Sequence, residues 1–195
     1  MSRLNRVWSW AASPAEVEER ERHAKFLVGG ALAAVRYMTI DYERAERFPK
    51  LEGIGPRNVM GKAEWLSPPW SCPDFDSVDY GVEIALTDGR VASLTWDPPG
   101  AIEGIGLSAV PLIGTGVASD ADDAVWDVTG HGRWHQVRDQ LISDVELRYE
   151  PWGEGGGFWC PQIQIRFAAS TITFELGDSA PDCQAIPSSD NILVL

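Results

Sequence analysis

Alternation of apolar and polar positions is clearest between Asp79 and Trp96. Val82, Ile84 and Leu86 alternate with Glu83, Ala85 and Thr87, which gives a strand one apolar face. Asp88-Gly89 follows, then a second strand-like run, Arg90–Trp96. Asp-Gly between two such runs predicts a two-residue hairpin, and Asp97-Pro98-Pro99-Gly100 ends it. The same period of two returns over residues 144–149, with Val145, Leu147 and Tyr149 on one face. It returns again over Gln162–Phe167, with Ile163, Ile165 and Phe167, and Thr171–Leu176 pairs back after the Ala168–Ser170 turn. Val35–Tyr42 is rich in β-branched and aromatic residues and reads as a strand. Leu107–Ile113, broken by Pro111, and Ile192–Leu195, placed at an edge, bring the count to about seven short strands.

One helix has a clear start. Ser13 can cap, Pro14 suits the first helical position and Glu16 completes an S-x-x-E box. Val17, Ala24, Leu27 and Val28 supply a modest apolar stripe, and Gly29-Gly30 stops it. Ser119–Val128 is ambiguous, since Ser119 or Asp120 could cap a short helix; Trp134–Ile142 suits helix and extended chain equally. Residues 49–73 hold eight Pro and Gly residues, so they read as a long irregular connection with one helical turn near Ala63–Leu66. Connections of this length are often functional. The fold class these elements predict is α+β in a single domain, 1–195. An N-terminal arm and helix occupy 1–30, and mainly antiparallel β structure occupies 31–195. The strands form a curved antiparallel sheet or a two-sheet sandwich, partly covered by the helix.

Charge changes the picture most. Twelve carboxylates and one cation, Arg90, lie between Lys62 and Arg133, so this stretch carries −11 of the chain's −13. A pI near 4.5 speaks against nucleic-acid backbones, which need clustered Lys and Arg, and against anionic membrane surfaces. It favours encounter with a basic partner. Nine Trp residues among 195 are many. Core packing accounts for most of them, but Trp70, Trp96, Trp126 and Trp152 sit beside turn residues or carboxylates, where an exposed indole could hold a cation or a sugar. Cys72, Cys160 and Cys183 form an odd set without paired spacing, which fits a reducing compartment. No credible signal peptide and no apolar run of bilayer length is present, so the expected location is cytoplasmic. Nothing in the sequence signals an oligomeric state.

Catalytic patterns are weak. His131 and His135 have the i, i+4 spacing of a zinc pair. However, Gly130 and Gly132 oppose a helix starting early enough, and no Glu follows His131 as in H-E-x-x-H. The metal expectation is therefore none, and no cofactor is expected. Asp120-Ala121-Asp122-Asp123 lacks the Gly and the terminal Glu of a calcium loop. Asp74, Asp76 and Asp79 invite a two-carboxylate hydrolase, yet their spacing puts no two reliably on one face. Cys160 has no basic neighbour to activate it, and Gly153–Gly157 lacks the G-K-[ST] ending of a phosphate loop.

Asp76–Glu83, Thr95–Gly100, Gly157–Pro161 and Pro187–Ile192 resemble phrases of a group of uncharacterised bacterial proteins, over most of the chain from about Val35 onward. No activity is assigned to that group, so the resemblance implies no catalytic residues. In size, acidity and lack of a catalytic set, the chain is similar in style to immunity proteins of bacterial toxin systems. The functional expectation is an acidic binding protein, of the kind that neutralises a basic toxin. Asp74, Asp76, Asp79, Asp120, Asp122, Asp123 and Asp127 would pair with the partner, and Trp70, Trp96 and Trp126 would anchor it. A carboxylate- or metal-dependent hydrolase is the alternative, and a carbohydrate-binding module the second alternative.

Overall fold

The first helix, α1 (Pro14–Ala24), begins as its sequence dictates. The Ser13 hydroxyl accepts the Glu16 N–H at 3.3 Å, and the Glu16 carboxylate reaches back past the cap to accept the Ala12 N–H at 3.0 Å. The helix stops earlier than Gly29. A 3₁₀ turn over Lys25–Leu27 tightens the chain, and Gly29, at φ +79°, completes the exit. Lys25 then clamps the helix to the sheet, donating to Asp144 (2.5 Å) and to the Val145 carbonyl (2.6 Å).

A computed structural model describes residues 6–7, 9–41, 57–96, 104–112, 123–153 and 156–195. Two sheets are present. The first contains β1 (Arg6–Val7), β3 (Leu32–Ile40), β4 (Arg57–Asn58), β6 (Gly81–Leu86), β7 (Val91–Trp96), β8 (Ile105–Ser108) and β9 (Asp123–Asp127), in the order β1-β8-β7-β6-β3-β9-β4. All its pairs are antiparallel except β4 with β9. The second contains β5 (Asp76–Val78), β10 (Asp144–Pro151), β11 (Phe158–Arg166), β12 (Thr171–Ser179) and β13 (Ala185–Val194), in the order β10-β11-β12-β13-β5, with β2 (Trp10–Ala11) joined to β11. A short helix, α2 (Gly132–Val137), precedes β10. The inner faces share one core: Val35, Tyr37, Val82, Ile84 and Leu94 from the first sheet pack with Val145, Ile163, Ile165, Phe174, Ile192 and Val194 from the second. The chain is mostly β in two packed sheets with an N-terminal helix, and the described residues form thirteen strands rather than about seven.

Three expectations need correction. The Asp88-Gly89 hairpin is real, but its loop is longer than two residues. Ala85 pairs with Val91, the Leu86 N–H donates to the Arg90 carbonyl, and Gly89 at φ +88° supplies the left-handed residue of a bulged turn. The ambiguous Ser119–Val128 stretch is, in its described part, the strand β9. It lies between β3 and β4 with four of five residues buried, so it shows no alternation. The last strand is not at an edge: β13 lies between β12 and β5.

The cysteine reading is also corrected. Cys72 and Cys183 are disulfide-bonded across 111 residues of sequence, with Cα atoms 5.6 Å apart, and Cys160 alone is free and buried. A pairing this distant leaves no local spacing to read. No helix among the described residues is long and apolar enough to cross a membrane.

Candidate functional site

The segment from β4 to β5 starts at an edge of the first sheet and ends at an edge of the second. It is irregular but braced. Arg57 pairs with Glu64 (2.7 Å) and Asp41 (2.8 Å), and the Trp65 indole donates to the Val59 carbonyl (3.2 Å). The Ser77 N–H donates to the Trp70 carbonyl (2.7 Å), and Cys72 is bonded to Cys183 in the β12–β13 turn. Beneath it the aromatic rings meet edge to face: Trp70 lies 5.1 Å from Tyr37 and 5.7 Å from Trp126, and Trp65 lies 5.2 Å from Trp126. Trp65 also stacks on the His131 ring at 4.3 Å.

A polar thread crosses this aromatic floor. The Trp134 indole donates to the Tyr37 hydroxyl (2.6 Å), which donates to Asp76 Oδ2 (2.7 Å), and Arg133 pairs with that same oxygen (2.6 Å). Burial first, then the Asp76 charge, push the Tyr37 phenol well above its usual range. The thread is satisfied within the protein, so it serves structure.

Two clefts open on either side of Trp70. The aromatic cleft, of about 260 Å³, is lined by Trp65, Leu66, Trp70, Asp76, His131 and Trp134, among others. The carboxylate cleft, of about 230 Å³, is lined by Thr39, Ile40, Pro69, Trp70, Ser77, Asp79, Asp178, Ser179 and Asn191. In the second, the Asp79 carboxyl accepts the Ile40 N–H with both oxygens (3.0 and 3.2 Å), and its main-chain carbonyl accepts the Trp96 indole N–H (3.2 Å). Asp178 Oδ1 accepts from the Ser179 N–H and the Asn191 amide (2.6 Å each) and from the Ser77 hydroxyl (3.2 Å). Burial is the main reason Asp79 is pushed up to about 6; the Ile40 hydrogen bond opposes this and the Asp178 charge adds to it. Chemically, the cleft offers two fixed carboxyl hydrogen-bond acceptors beside an apolar wall of Pro69 and Trp70.

The expected site residues scatter. Trp70, Asp76, Asp123 and Trp126 are buried at 5%, 7%, 2% and 3% exposure, so they cannot reach a partner's surface. Asp76 is already paired, and the Trp126 indole donates to Thr39. Trp96 is half-buried and positions Asp79. Asp74 and Asp127 are exposed, although Asp127 also caps its own turn by accepting from the Thr129 N–H and hydroxyl. Asp120 and Asp122 lie outside the described residues. His131 precedes α2 and His135 falls in its last turn. No group of three metal-binding side chains occurs among the described residues.

Sequence reasoning missed Asp178, Asn191, Tyr37, Trp65 and Arg133. One signal was available for Asp178: Gly177 inside an apolar strand pattern marks a bulge. The β12–β13 register shifts at Leu176/Gly177, and a Cβ on Gly177 would lie 2.8 Å from the Ile186 carbonyl. No protein-family model, curated protein or solved structure matches this chain.

Proposed function

We propose that this chain is a binding protein for a basic protein partner, as an immunity protein is for its toxin, and that the β4–β5 segment is its recognition surface. One observation carries the reading. The segment is tied to both sheets and to the β12–β13 turn, yet holds Met60 and Leu66 84% and 87% exposed, with the exposed carboxylate of Asp74 on the same segment. A braced loop loses little freedom on docking, so the apolar side chains it holds out can be buried against a partner at low entropic cost. The chain's net charge of −13 favours encounter with a basic partner. The cytoplasmic expectation rested on the lack of a credible signal peptide and of a bilayer-length apolar run, and on the unpaired cysteine spacing; the Cys72–Cys183 bond removes the last of these supports.

The test is affinity capture from the native host's lysate at low salt, elution at high salt, and reconstitution with the eluted protein once purified. A basic protein that rebinds the wild type but not a Leu66→Asp variant is the expected result. A blank capture, or equal binding by the variant, counts against the reading.

A carboxylate hydrolase is the second reading, favoured by the Asp79–Asp178 pair. A carboxyl that stays protonated to about pH 6 beside a carboxylate held by three donors resembles an acid–base pair. Turnover of a chromogenic glycoside or ester panel, abolished in Asp178→Asn, would promote it; a blank panel leaves binding as the conclusion.

A further inference from the structure

We infer that the Cys72–Cys183 bond is a site of thiol–disulfide exchange, opened by a dithiol, and that its reduction releases the tip of the β12–β13 hairpin while both sheets stay folded. This goes beyond the binding function proposed above and does not depend on it. The hairpin has a supported base and an unsupported tip. β11 accompanies β12 only from Thr171 to Glu175, and β5 accompanies β13 only from Ile192 to Val194. Past the bulge at Leu176/Gly177, Gly177 pairs with Pro187, Asp178 with Ile186 and Ser179 with Ala185. This stretch is a ribbon of two strands, a form that is marginal by itself in water. Pro187 removes one ladder donor. Two residues other than glycine hold left-handed backbones, Cys183 at φ +61° and Ser188 at φ +57°. From Pro181 to Ser188 every residue but Cys183 is exposed, so little packing offsets these costs.

Besides the disulfide, one hydrogen bond among the described residues joins the tip to another part of the protein: the Ser77 hydroxyl donates to Asp178 Oδ1 at 3.2 Å. The Asn191 amide, which donates to the same oxygen, belongs to the hairpin's own second strand. The far side of the disulfide is anchored differently. Trp70 and Phe75, on either side of Cys72, are each 5% exposed, and the Ser77 N–H donates to the Trp70 carbonyl at 2.7 Å. The β4–β5 segment therefore keeps its place without the disulfide, and the pairing of β13 with β5 lies outside the tip. What the bond holds is the tip.

A reductant can reach the bond. Both cysteines are half-buried, and their chain neighbours Ser71, Pro73, Asp182 and Gln184 are all exposed; Cys160, at 0% exposure, takes no part. One sulfur of the dithiol, as thiolate, attacks the Sγ of one cysteine. The S–S bond breaks, the other cysteine leaves as a thiolate, and a mixed disulfide forms. The second sulfur of the dithiol then attacks the mixed disulfide, closing a cyclic disulfide and releasing the remaining cysteine. Two electrons pass from the dithiol to the protein, and its two protons end on Cys72 and Cys183. Asp178 and Ser179 line the carboxylate cleft from the tip, and Pro69, Trp70 and Ser77 line it from the segment and β5. Release of the tip carries Asp178 away from Ser77 and widens the cleft, so the cleft's shape follows the redox state of its surroundings.

The experiment treats the folded chain with dithiothreitol in the absence of denaturant, removes the reagent under nitrogen and counts reactive thiols. Hydrogen exchange read by NMR then compares the reduced and oxidised forms. Two native thiols are expected, those of Cys72 and Cys183. Amides of the tip, residues 178–186, should exchange at least about tenfold faster after reduction, while those of Ile163, Ile165 and Phe174 remain protected. A Cys72→Ser/Cys183→Ser variant should reproduce the reduced pattern with no reductant present. If no thiol is released until the protein is unfolded, the exchange site is overturned. Release with unchanged protection of the tip overturns the latch. Loss of protection across both sheets, in the reduced protein or in the variant, makes the bond a staple of the whole fold and overturns the inference as well.

Discussion

Replacing Asp79 with Asn tests the physics of the carboxylate cleft without any ligand. The variant keeps the side-chain shape, and its amide oxygen still accepts the Ile40 N–H, which lies 3.0 Å from one carboxyl oxygen. It removes the buried charge. In the folded protein the Asp79 carboxyl is pushed up to about 6 from 3.8, chiefly by burial. A carboxyl whose folded pKa is raised contributes stability that is full below the unfolded value and is lost as pH rises through the folded one. Ionised Asp79 therefore weakens the fold at neutral pH. A shift of about two units corresponds to about 3 kcal/mol; the opposing Ile40 hydrogen bond is already contained in it, and the part that develops between about pH 4 and pH 7.5 is about 2 kcal/mol. Urea unfolding of both proteins at intervals from about pH 4 to pH 7.5 should show equal stability at the acid end, with the variant ahead by about 2 kcal/mol at the neutral end. The melting temperature should rise by roughly 4–8 °C. A variant that is destabilised at every pH, or whose advantage does not change with pH, would refute the reasoning.

Three further outcomes are expected. Thiol titration in denaturant without reductant should find one reactive cysteine, Cys160, and three after reduction; in the native state Cys160 should be silent, being buried with its thiol pushed up to about 12. Three thiols before reduction would disprove the disulfide. Tyr37→Phe should cost about 2–3 kcal/mol in urea unfolding, because it strands the Trp134 indole N–H and removes a donor from buried Asp76; a cost below about 0.5 kcal/mol would show that the thread is dispensable. Gly177→Ala should cost about 1–3 kcal/mol, since its Cβ would lie 2.8 Å from the Ile186 carbonyl and 2.9 Å from Leu193 Cδ1, and a neutral result would mean that the β12–β13 bulge yields freely.

What could be read from the chain depended on how local the cause was. The α1 cap and the β6–β7 hairpin are written within a few residues, and both are present. The strand β9 was hidden because a strand flanked on both sides and buried on both faces loses the period of two, while its neighbouring aspartates mimic a helix cap. The two-residue strands β1, β2 and β4 are too short to have a period. Acid counting overstated the surface: Asp76 and Glu83 are buried and matched by Arg133 and Arg36. Asp79 was visible as a candidate, but Asp178 reaches the same cleft from β12, and no spacing rule joins two residues so far apart in sequence.

The crossing of β5 has a consequence for how the chain acquires its structure. β5 follows β4 and precedes β6, both in the first sheet, yet it pairs with β13, Val78 opposite Ile192. During synthesis it must wait for more than a hundred residues before its neighbour exists. Until then β5 has no neighbouring strand to pair with, and Cys72 has no partner. Contacts this distant in sequence form late and slowly. The Cys72–Cys183 bond, next to this late pairing, therefore closes most readily once β13 has docked on β5, so oxidation reports on the joining of the β4–β5 segment to the second sheet.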